Sequence, residues 1–404
     1  MSARREQMEM AGLRRRWTAA TFAWVAALLA GYWLLQPVWP YAGRWALMTA
    51  VPLAYGLWVL RRGLPQNRRA GRAALLPTLG TGTHLTLWRG LAISMVAGFL
   101  FSPRPAGGLA WLPAMLYTTA SIADYLDGYL ARITRHDTAL GATLDMEFDS
   151  LGMLVVTLLA VWYGQLPWWY LGLGLARYFF LFGIWWRRRR GRAVHDLSPS
   201  VHRRIFAGFQ MGFMSVVLWP ILPPGGTAVA GTAFALPTAL GFLRDWLVTA
   251  GRMDPAAPTY RTTMRRLYRA ATRWLPLCLR LSAVIGLALV LRPLLSLHSP
   301  IPWETVLAGW RLPWPRPLSM AMLGIAVLAG IAVAVGAAGR IASLLLVLPI
   351  SLDIIARGLG WANGAALVSV IWLMMWGTGA FSTWQPEEPY MVRRAGERAP
   401  MTNE

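Results

Sequence analysis

The stretch from Asp124 to Asp149, DYLDGYLARITRHDTALGATLDMEFD, places four aspartates inside two otherwise apolar segments. Asp124 and Asp127 are three residues apart, so both lie on one face of a helix. Asp145 and Asp149 are four apart and share a face in the same way. The polar run 134–138 between the two pairs predicts a tight turn. The stretch therefore predicts a helical hairpin with two pairs of carboxylates.

The two pairs are expected to meet at the same depth in this hairpin. Asp127 and Asp145 lie about nine residues from the centre of the turn, and Asp124 and Asp149 lie about twelve. Measured inward from the turn itself, the pairs lie at a depth of roughly 10–15 Å at the helical rise. Four converging carboxylates cannot all stay ionised without a counter-charge. Divalent cations supply one, and oxygen-only ligands select hard ions such as Mg²⁺ or Mn²⁺. The alternative is four protonated or separately solvated aspartates.

A longer pattern surrounds these aspartates. The chain reads D-x2-D-G-x2-A-R-x8-G-x3-D-x3-D, and it resembles the signature of the CDP-alcohol phosphotransferases at all eight fixed positions. The resemblance implies a six-span membrane domain, a homodimer and a metal-lined pocket open to the cytoplasm. It also implies a reaction in which the hydroxyl of an acceptor alcohol displaces CMP from a CDP-linked lipid or alcohol.

The chemistry of phosphoryl-type transfer assigns roles to the aspartates. The pyrophosphate charge must be neutralised, and two metal ions about 4 Å apart can do this. Asp124, Asp127 and Asp145 are expected to be metal ligands. Asp149 is expected to be a ligand, the general base for the acceptor hydroxyl, or both in turn.

Four residues between the aspartates are candidates for contacts to the CDP moiety. Gly128 and Gly141 allow close approach of a nucleotide to the backbone, although glycine also serves close helix packing in membranes. Ala131 keeps the face of Asp127 open. Arg132 can pair with a phosphate in a fork; its alternative role is a topology anchor at the end of a span.

Further arginines are candidates for phosphate or acceptor binding. Thr83-His84-Leu85-Thr86-Leu87-Trp88-Arg89 is similar to the N-x-L-T-x-x-R stretch of many family members, with Thr83 in place of Asn, and Arg89 is expected to face the nucleotide or the headgroups. Arg177 lies inside a predicted span and needs an anionic partner there, either a phosphorylated acceptor or a pocket carboxylate. Arg203 and Arg204 precede another span and form an acceptor phosphate site or an anchor.

The composition of the chain places this motif in a membrane. The 404 residues are 56% apolar and only 14% charged, with a mean hydropathy of +0.44, which excludes a soluble enzyme domain. All 39 basic residues are Arg, in clusters between apolar runs, so the net charge of +22 indicates topology anchoring rather than nucleic-acid binding. The one cysteine, Cys278, excludes an intrachain disulfide.

The apolar runs predict an all-α integral membrane protein with about twelve spans. The predicted spans are Ala19–Trp39, Trp45–Leu60, Leu85–Phe101, Leu109–Ile133, Ala139–Tyr163, Trp168–Trp186, Ile205–Ile221, Thr227–Val248, Leu277–Leu297, Leu318–Ala338, Ile341–Arg357 and Ala362–Trp384. The Arg-rich segment Arg61–Thr83 is expected to form an interfacial helix. Arginines concentrate in alternate loops, which predicts that both termini and the active site face the cytoplasm at the cell membrane. Arg44, Arg104 and Arg357 are isolated exceptions at the outer ends of spans.

The spans group into five regions. They are a two-span extension with a basic segment (1–72), the CDP-alcohol phosphotransferase domain with its six-helix core (73–250), a basic linker (251–275), a four-span region (276–384) and a polar tail (385–404).

The residues and the resemblance together predict a membrane phosphatidyltransferase of phospholipid biosynthesis. The donor is expected to be CDP-diacylglycerol, the cofactor two Mg²⁺ or Mn²⁺ ions, and the acceptor stays open. Arginines at the acceptor site favour a phosphorylated alcohol. The alternatives are a non-catalytic scaffold, a transporter that uses the aspartates as coupling sites, and a UbiA-type prenyltransferase. Transporters often show internal repeats, which this chain lacks, and the Asp pairs of UbiA-type enzymes are far apart in sequence.

Overall fold

A computed structural model describes residues 2–69, 72–134, 136–197, 201–294 and 302–390, without the side chains of Ser2, Ala3, Arg5, Arg132 and residues 201–204. All regular structure in these ranges is helical, apart from two isolated backbone bridges. The helices are α1 (Ser2–Leu35), α2 (Ala42–Gly63), α3 (Thr81–Ala97), α4 (Trp111–Ile133), α5 (Ala139–Trp162), α6 (Leu171–Gly174), α7 (Ala176–Arg189), α8 (Val201–Val216), α9 (Pro224–Thr249), α10 (Pro258–Leu291), α11 (Pro302–Gly309), α12 (Pro315–Val335), α13 (Gly339–Arg357) and α14 (Trp361–Trp376).

The all-α membrane class predicted from composition is confirmed. Five helical segments in the described ranges are long and apolar enough to cross a bilayer: Glu6–Leu35, Pro224–Thr249, Pro258–Leu294, Pro315–Val335 and Gly339–Arg357. α4 and α5, with 23 and 24 residues, are long enough but are not among them, and both contain charged residues of the motif. The total of about twelve spans stays a prediction.

The sequence marks the helix ends with proline and glycine. Pro224, Pro258 and Pro315 each lie in the first turn of a helix, where the missing N–H group is not needed. Gly336 directly follows α12 and Gly377 directly follows α14, and both glycines have positive φ, 72° and 81°. Glycine adopts this backbone conformation without steric cost and so terminates the helices.

The predicted interfacial helix over Arg61–Thr83 is wrong. After α2 ends at Gly63, one short 3₁₀ turn follows, and the residues that the structure describes from there to Gly80 form no further helix. The buried Asn67 holds this segment, because its Nδ2 donates to the carbonyls of Leu76 and Thr78, at 3.0 Å each. A side chain that satisfies backbone carbonyls competes with helix formation.

Other segments also differ from the predicted spans: α1 begins at Ser2 rather than at Ala19, and α10 begins at Pro258, within the predicted linker, rather than at Leu277. Trp168–Trp186 is broken at Leu175 between α6 and α7. The last predicted span ends early, since α14 stops at Trp376. α11 forms within a stretch expected to be a loop.

The chain divides into two compact units. Unit 1 comprises Met1–Arg177 and Met214–Pro220, and unit 2 comprises Tyr178–Phe213 and Ile221–Glu404. In unit 1, α3 packs against α2, α4 and α5, while α1 packs against α2. In unit 2, α14 packs against α9, α10 and α13, and α12 packs against α10 and α13. All four motif aspartates belong to unit 1.

Candidate active site

The predicted hairpin is present. α4 ends at Ile133 and α5 begins at Ala139, so the turn lies where the polar run predicted it. Thr138 caps α5, because its Oγ1 accepts a hydrogen bond of 3.0 Å from the amide of Gly141. His136 in the turn is half-buried, and its Nε2 donates to the carbonyl of Thr78 at 3.0 Å. The turn is therefore anchored to the segment that precedes α3.

Three carboxylates of the hairpin converge. Asp124, Asp127 and Asp145 each offer an oxygen, and these oxygens lie within 4.8 Å of one another. The Asp127 side chain is 9% exposed, whereas that of Asp145 is 44% exposed, so the cluster is open on one side. Oxygen-only ligands at this spacing fit a hard divalent cation. The geometry agrees with the matched depth that the helical rise predicts.

Arg89 of α3 connects all four aspartates. Its Nη1 forms an ion pair with Asp124 and lies 2.9 Å from Asp145 Oδ1 and 3.5 Å from Asp127 Oδ2. Its Nη2 donates to Asp149 Oδ1 at 2.7 Å and to the Asp145 carbonyl at 2.9 Å. The side chain is only 3% exposed. Sequence reasoning placed Arg89 toward the nucleotide or the headgroups; the structure places it among the carboxylates.

Two glycines allow α3 to approach the hairpin closely enough for these contacts. A Cβ atom on Gly82 would lie 2.8 Å from the Asp127 carbonyl and 2.9 Å from the Ala131 Cβ. A Cβ atom on Gly90 would lie 2.6 Å from the buried ring of Phe148. Because such distances are too short for real atoms, only glycine permits this packing of α3 against α4 and α5.

Thr86 belongs to the site, although we did not single it out from the sequence. Its Oγ1 donates to Asp127 Oδ2 at 2.8 Å, and the residue is buried. The spacing in the sequence could have indicated this role, because Thr86 is three residues from Arg89 and so shares one face of α3 with it. Only the structure shows that both side chains point toward the hairpin.

The candidate nucleotide-binding residues have different surroundings. Ala131 faces α3 at Gly82, so its small size serves helix packing there. A Cβ atom on Gly141 would meet Thr138 Oγ1 at 3.3 Å and Thr83 Oγ1 at 3.7 Å. Gly128 is half-exposed on α4. The side chain of Arg132 lies outside the described residues.

Of the three arginines proposed for the acceptor, Arg177 has a described side chain, and it contacts residues other than the four aspartates. Arg177 Nη1 donates to the Met146 carbonyl at 2.7 Å, and its Nη2 lies 3.8 Å from Glu147 Oε1. Glu147 also accepts a hydrogen bond of 2.6 Å from the Tyr55 hydroxyl. The side chains of Arg203 and Arg204 lie outside the described residues.

Comparison with protein families identifies the region that contains this site. Residues 81–243, from the start of α3 into α9, match the family model described as CDP-alcohol phosphatidyltransferase. The chain contains a CDP-alcohol phosphatidyltransferase domain. Arg89, Thr86 and the four aspartates all lie within the domain, and the chain is a membrane protein. The predicted family is confirmed.

Two groups of relatives are similar to part of the chain. Proteins of Mycobacterium tuberculosis (strain H37Rv) and Mycobacterium bovis, both named as cardiolipin synthases, are 27% identical over 132 residues, which is 32% of this chain and 61% of theirs. A CDP-diacylglycerol–glycerol-3-phosphate 3-phosphatidyltransferase of Cereibacter sphaeroides is 35% identical over 86 residues, 21% of this chain and 38% of the relative. The similarity thus covers less than two thirds of each relative. No solved structure matches the chain.

Proposed function

We propose that this protein transfers a phosphatidyl group from a CDP-linked lipid to an acceptor alcohol and releases CMP. The observation that carries the proposal is the convergence of the motif carboxylates Asp124, Asp127 and Asp145 within the CDP-alcohol phosphatidyltransferase domain. CDP-diacylglycerol is the proposed donor, supported by the name of the Cereibacter relative. The proposed setting is a homodimer in the cell membrane, with both termini and the site facing the cytoplasm.

The carboxylate cluster is suited to hold the divalent cations that such a reaction needs. Asp124, Asp127 and Asp145 are the proposed ligands of two Mg²⁺ or Mn²⁺ ions, with Asp149 contributing a further oxygen. When bound, the metal neutralises the pyrophosphate and polarises the phosphoryl oxygens. Arg89 and Thr86 hold the carboxylates in place through the hydrogen bonds described above.

Asp149 is the proposed general base. The acceptor hydroxyl oxygen forms a bond to the phosphorus of the phosphatidyl group, and the bond from that phosphorus to the bridging oxygen of CMP breaks. The hydroxyl proton passes to Asp149, whose side chain is 38% exposed and therefore accessible to an alcohol. CMP leaves with the bridging oxygen and its electron pair. Gly128, Ala131, Arg132 and Gly141 are the proposed contacts to the CDP moiety.

The acceptor is proposed to be a phosphorylated alcohol. Arg177, Arg203 and Arg204 support this choice, because guanidinium groups suit bidentate phosphate contacts. Arg177 is one-third exposed, so it is accessible to a ligand.

CMP release by the purified full-length protein tests the proposal. The assay uses CDP-diacylglycerol, Mg²⁺ or Mn²⁺ and a panel of acceptor alcohols. We expect Asp149→Asn to lower kcat by about 10² to 10⁴, the usual contribution of a general base. Asp137→Asn is the matched control, since the same change is made at an exposed residue of the turn.

The outcomes separate the role of the residue from the function of the protein. Wild-type kcat in the Asp149→Asn variant would remove Asp149 from its role while leaving the reaction in place. Absence of CMP release from the wild type with every acceptor, together with absence of Mn²⁺ binding, would overturn the proposed reaction and favour the scaffold or transporter.

A further inference from the structure

Arg44 and Arg104 lie at span ends where the topology predicts little charge, and both line one cavity of unit 1. Arg44 lies in the first turn of α2, and Arg104 lies in the loop between α3 and α4. In sequence they are 60 residues apart and look like unrelated exceptions. In the structure both border a cavity of about 620 Å³, together with Tyr41, Trp162 and Tyr163. A shared cavity gives the two exceptions a common physical explanation.

The cavity is remote from the aspartate cluster. Trp162 ends α5, thirteen residues after Asp149, so the helical rise separates them by about 20 Å. The cavity therefore lies toward the opposite membrane interface from the carboxylates. A ligand in it cannot contact the proposed metal ligands, and the cavity is distinct from the proposed donor and acceptor sites.

Each arginine is positioned by backbone and aromatic contacts that leave donors available. Arg44 Nη1 donates to the Phe101 carbonyl at 2.6 Å, and its guanidinium lies 5.6 Å from the centre of the Tyr41 ring. Arg104 Nη2 donates to the Leu218 carbonyl at 3.1 Å, and its guanidinium lies 5.6 Å from the Tyr163 ring centre. Among the residues that the structure describes, neither arginine has a carboxylate partner. A guanidinium has five N–H donors, so most of them are not used by these contacts.

A buried hydroxyl in the same cavity also lacks a partner. Tyr163 Oη is inaccessible to water and forms no hydrogen bond within the described ranges. A buried polar group without a hydrogen bond costs free energy, and a native structure seldom tolerates one without a reason. This observation is independent of the two arginines: the hydroxyl is a donor without an acceptor, and a ligand that displaces the groups covering it would supply one.

The backbone of Phe101 supports the view that the cavity is a built site. Phe101 adopts a φ of 58°, a conformation that is costly for a bulky residue. In this conformation its carbonyl accepts the hydrogen bond from Arg44, and its ring packs edge-on against Trp162 with centroids 5.5 Å apart. The strained residue thus joins the charged wall of the cavity to its aromatic wall.

We propose that this cavity binds the phosphate group of a membrane phospholipid. Two guanidinium groups and a phenolic hydroxyl match the oxygens of a phosphodiester, and the segments 37–44, 101–108 and 162–167 around them contain no Asp or Glu. Phe101 and Trp162 are half exposed beside the arginines, as aromatic residues are at the interface of a bilayer. Free phosphate shares the same chemistry, and the experiment distinguishes the two sources.

Thermal stabilisation of the purified full-length protein by two probes tests the proposal. The probes are dihexanoylphosphatidylglycerol, below its micelle concentration, and inorganic phosphate, both in EDTA so that no metal engages the aspartates. We expect the short-chain lipid to raise Tm with saturation. The double variant Arg44→Gln with Arg104→Gln should raise the half-saturating lipid concentration at least about ten-fold, as expected for lost charge-assisted hydrogen bonds.

Two further variants make the test specific. Arg311→Gln with Arg316→Gln removes the same charge from exposed arginines outside the cavity and should respond as the wild type does. Tyr163→Phe removes only the unpartnered hydroxyl and should weaken lipid binding about ten-fold while the protein stays folded. If the double variant does not fold, lipid binding by Tyr163→Phe still tests the proposal.

Equal half-saturating concentrations in the wild type, Tyr163→Phe and the double variant would overturn the proposal. Stabilisation by inorganic phosphate without stabilisation by the lipid would overturn the assignment to a phospholipid. CMP release depends on the aspartate cluster and not on this cavity. Absence of CMP release would therefore leave the measurement of lipid binding unaffected.

Discussion

Arg89 compensates the charge of the candidate active site. It is a buried cation whose two terminal nitrogens contact the four aspartates, which otherwise repel one another. Its guanidinium has a planar fork that an ammonium group does not reproduce. The position of the carboxylates therefore depends on this side chain and on the helix that supplies it.

Removal of Arg89 should make folding of unit 1 depend on divalent metal. We expect Arg89→Gln to lower the free energy of unfolding in EDTA by about 3 kcal/mol, because the carboxylates lose their partner. Added Mg²⁺ should raise Tm by more in the variant than in the wild type. Thermal unfolding with EDTA and with Mg²⁺ measures both effects, and Arg72→Gln, at an exposed arginine, is the control. Equal sensitivity of both variants to EDTA would contradict this role.

The close packing of α3 places Arg89 in the hairpin. Gly82 contacts α4 at Ala131, and Gly90 contacts α5 at Phe148. The two glycines are eight residues apart, so their directions on α3 differ by about 80°, and each faces a different helix. Small residues permit such approach between helices in membranes.

A methyl group at Gly90 should separate α3 from α5. We expect Gly90→Ala to destabilise unit 1 by about 1–3 kcal/mol, because the Phe148 ring is fully buried and cannot move freely. Gly43→Ala is the matched control, since no atom lies within 4 Å of its added Cβ. Thermal unfolding of the two variants compares them directly. An equal or smaller loss of stability at Gly90 would show that α3 can shift to accommodate a methyl group.

In unit 2, α13 contains a buried carboxylate, Asp353, that is held by several hydrogen bonds. Asp353 is 1% exposed, and its Oδ1 accepts hydrogen bonds from Arg357 Nε at 2.6 Å and from Trp303 Nε1 at 3.4 Å. Its Oδ2 accepts one of 3.0 Å from Asn363 Nδ2. The carboxylate thus connects α11, α13 and α14 and gives Arg357, an exception to the charge alternation, an internal partner.

Loss of the Asp353 carboxylate should loosen these three helices. We expect Asp353→Ala to cost about 3 kcal/mol, because Arg357 and two further donors lose a buried acceptor. Limited proteolysis and thermal unfolding measure the change, with Asp196→Ala at an exposed position of unit 2 as the control. Stability equal to that of the control would mean that water replaces the carboxylate without cost.

At the scale of the whole chain, the candidate active site is confined to one of the two units. All four motif aspartates and Arg89 lie in unit 1, whereas the last five helices, α10 to α14, lie in unit 2. A ligand that binds only the native form stabilises the part of the protein that holds it. Metal binding should therefore act locally.

Hydrogen–deuterium exchange with and without Mn²⁺ should show this difference. At about a hundred times its Kd, the metal adds about 2.7 kcal/mol of stability to the unit that binds it. We expect slower exchange in α3, α4 and α5 and little change in α10 to α14. Asp145→Asn should abolish the protection, which separates specific binding from a general effect of salt. Protection spread equally over all helices would be inconsistent with a metal site confined to unit 1.

Local periodicity made the membrane class and the aspartate hairpin predictable. Composition indicates that the chain lies in a lipid bilayer rather than in water. The helical rise and repeat determine which side chains share a face and a depth. The pairs Asp124/Asp127 and Asp145/Asp149 could be matched because only a five-residue turn separates their helices. Arg357 lies four residues from Asp353, so that ion pair also was readable from the sequence, although we did not predict it.

Contacts between distant segments could not be obtained in this way. Arg89 precedes Asp124 by 35 residues and Asp149 by 60, and its direction depends on how α3 packs against α4 and α5. The competition of Asn67 with a helix over Arg61–Thr83 likewise depends on carbonyls that a fold brings within reach. Periodicity orients residues within one helix, whereas the packing of several helices sets their mutual rotation and distance. For this reason the four aspartates were visible in the sequence, and the arginine at their centre became visible only in the folded chain.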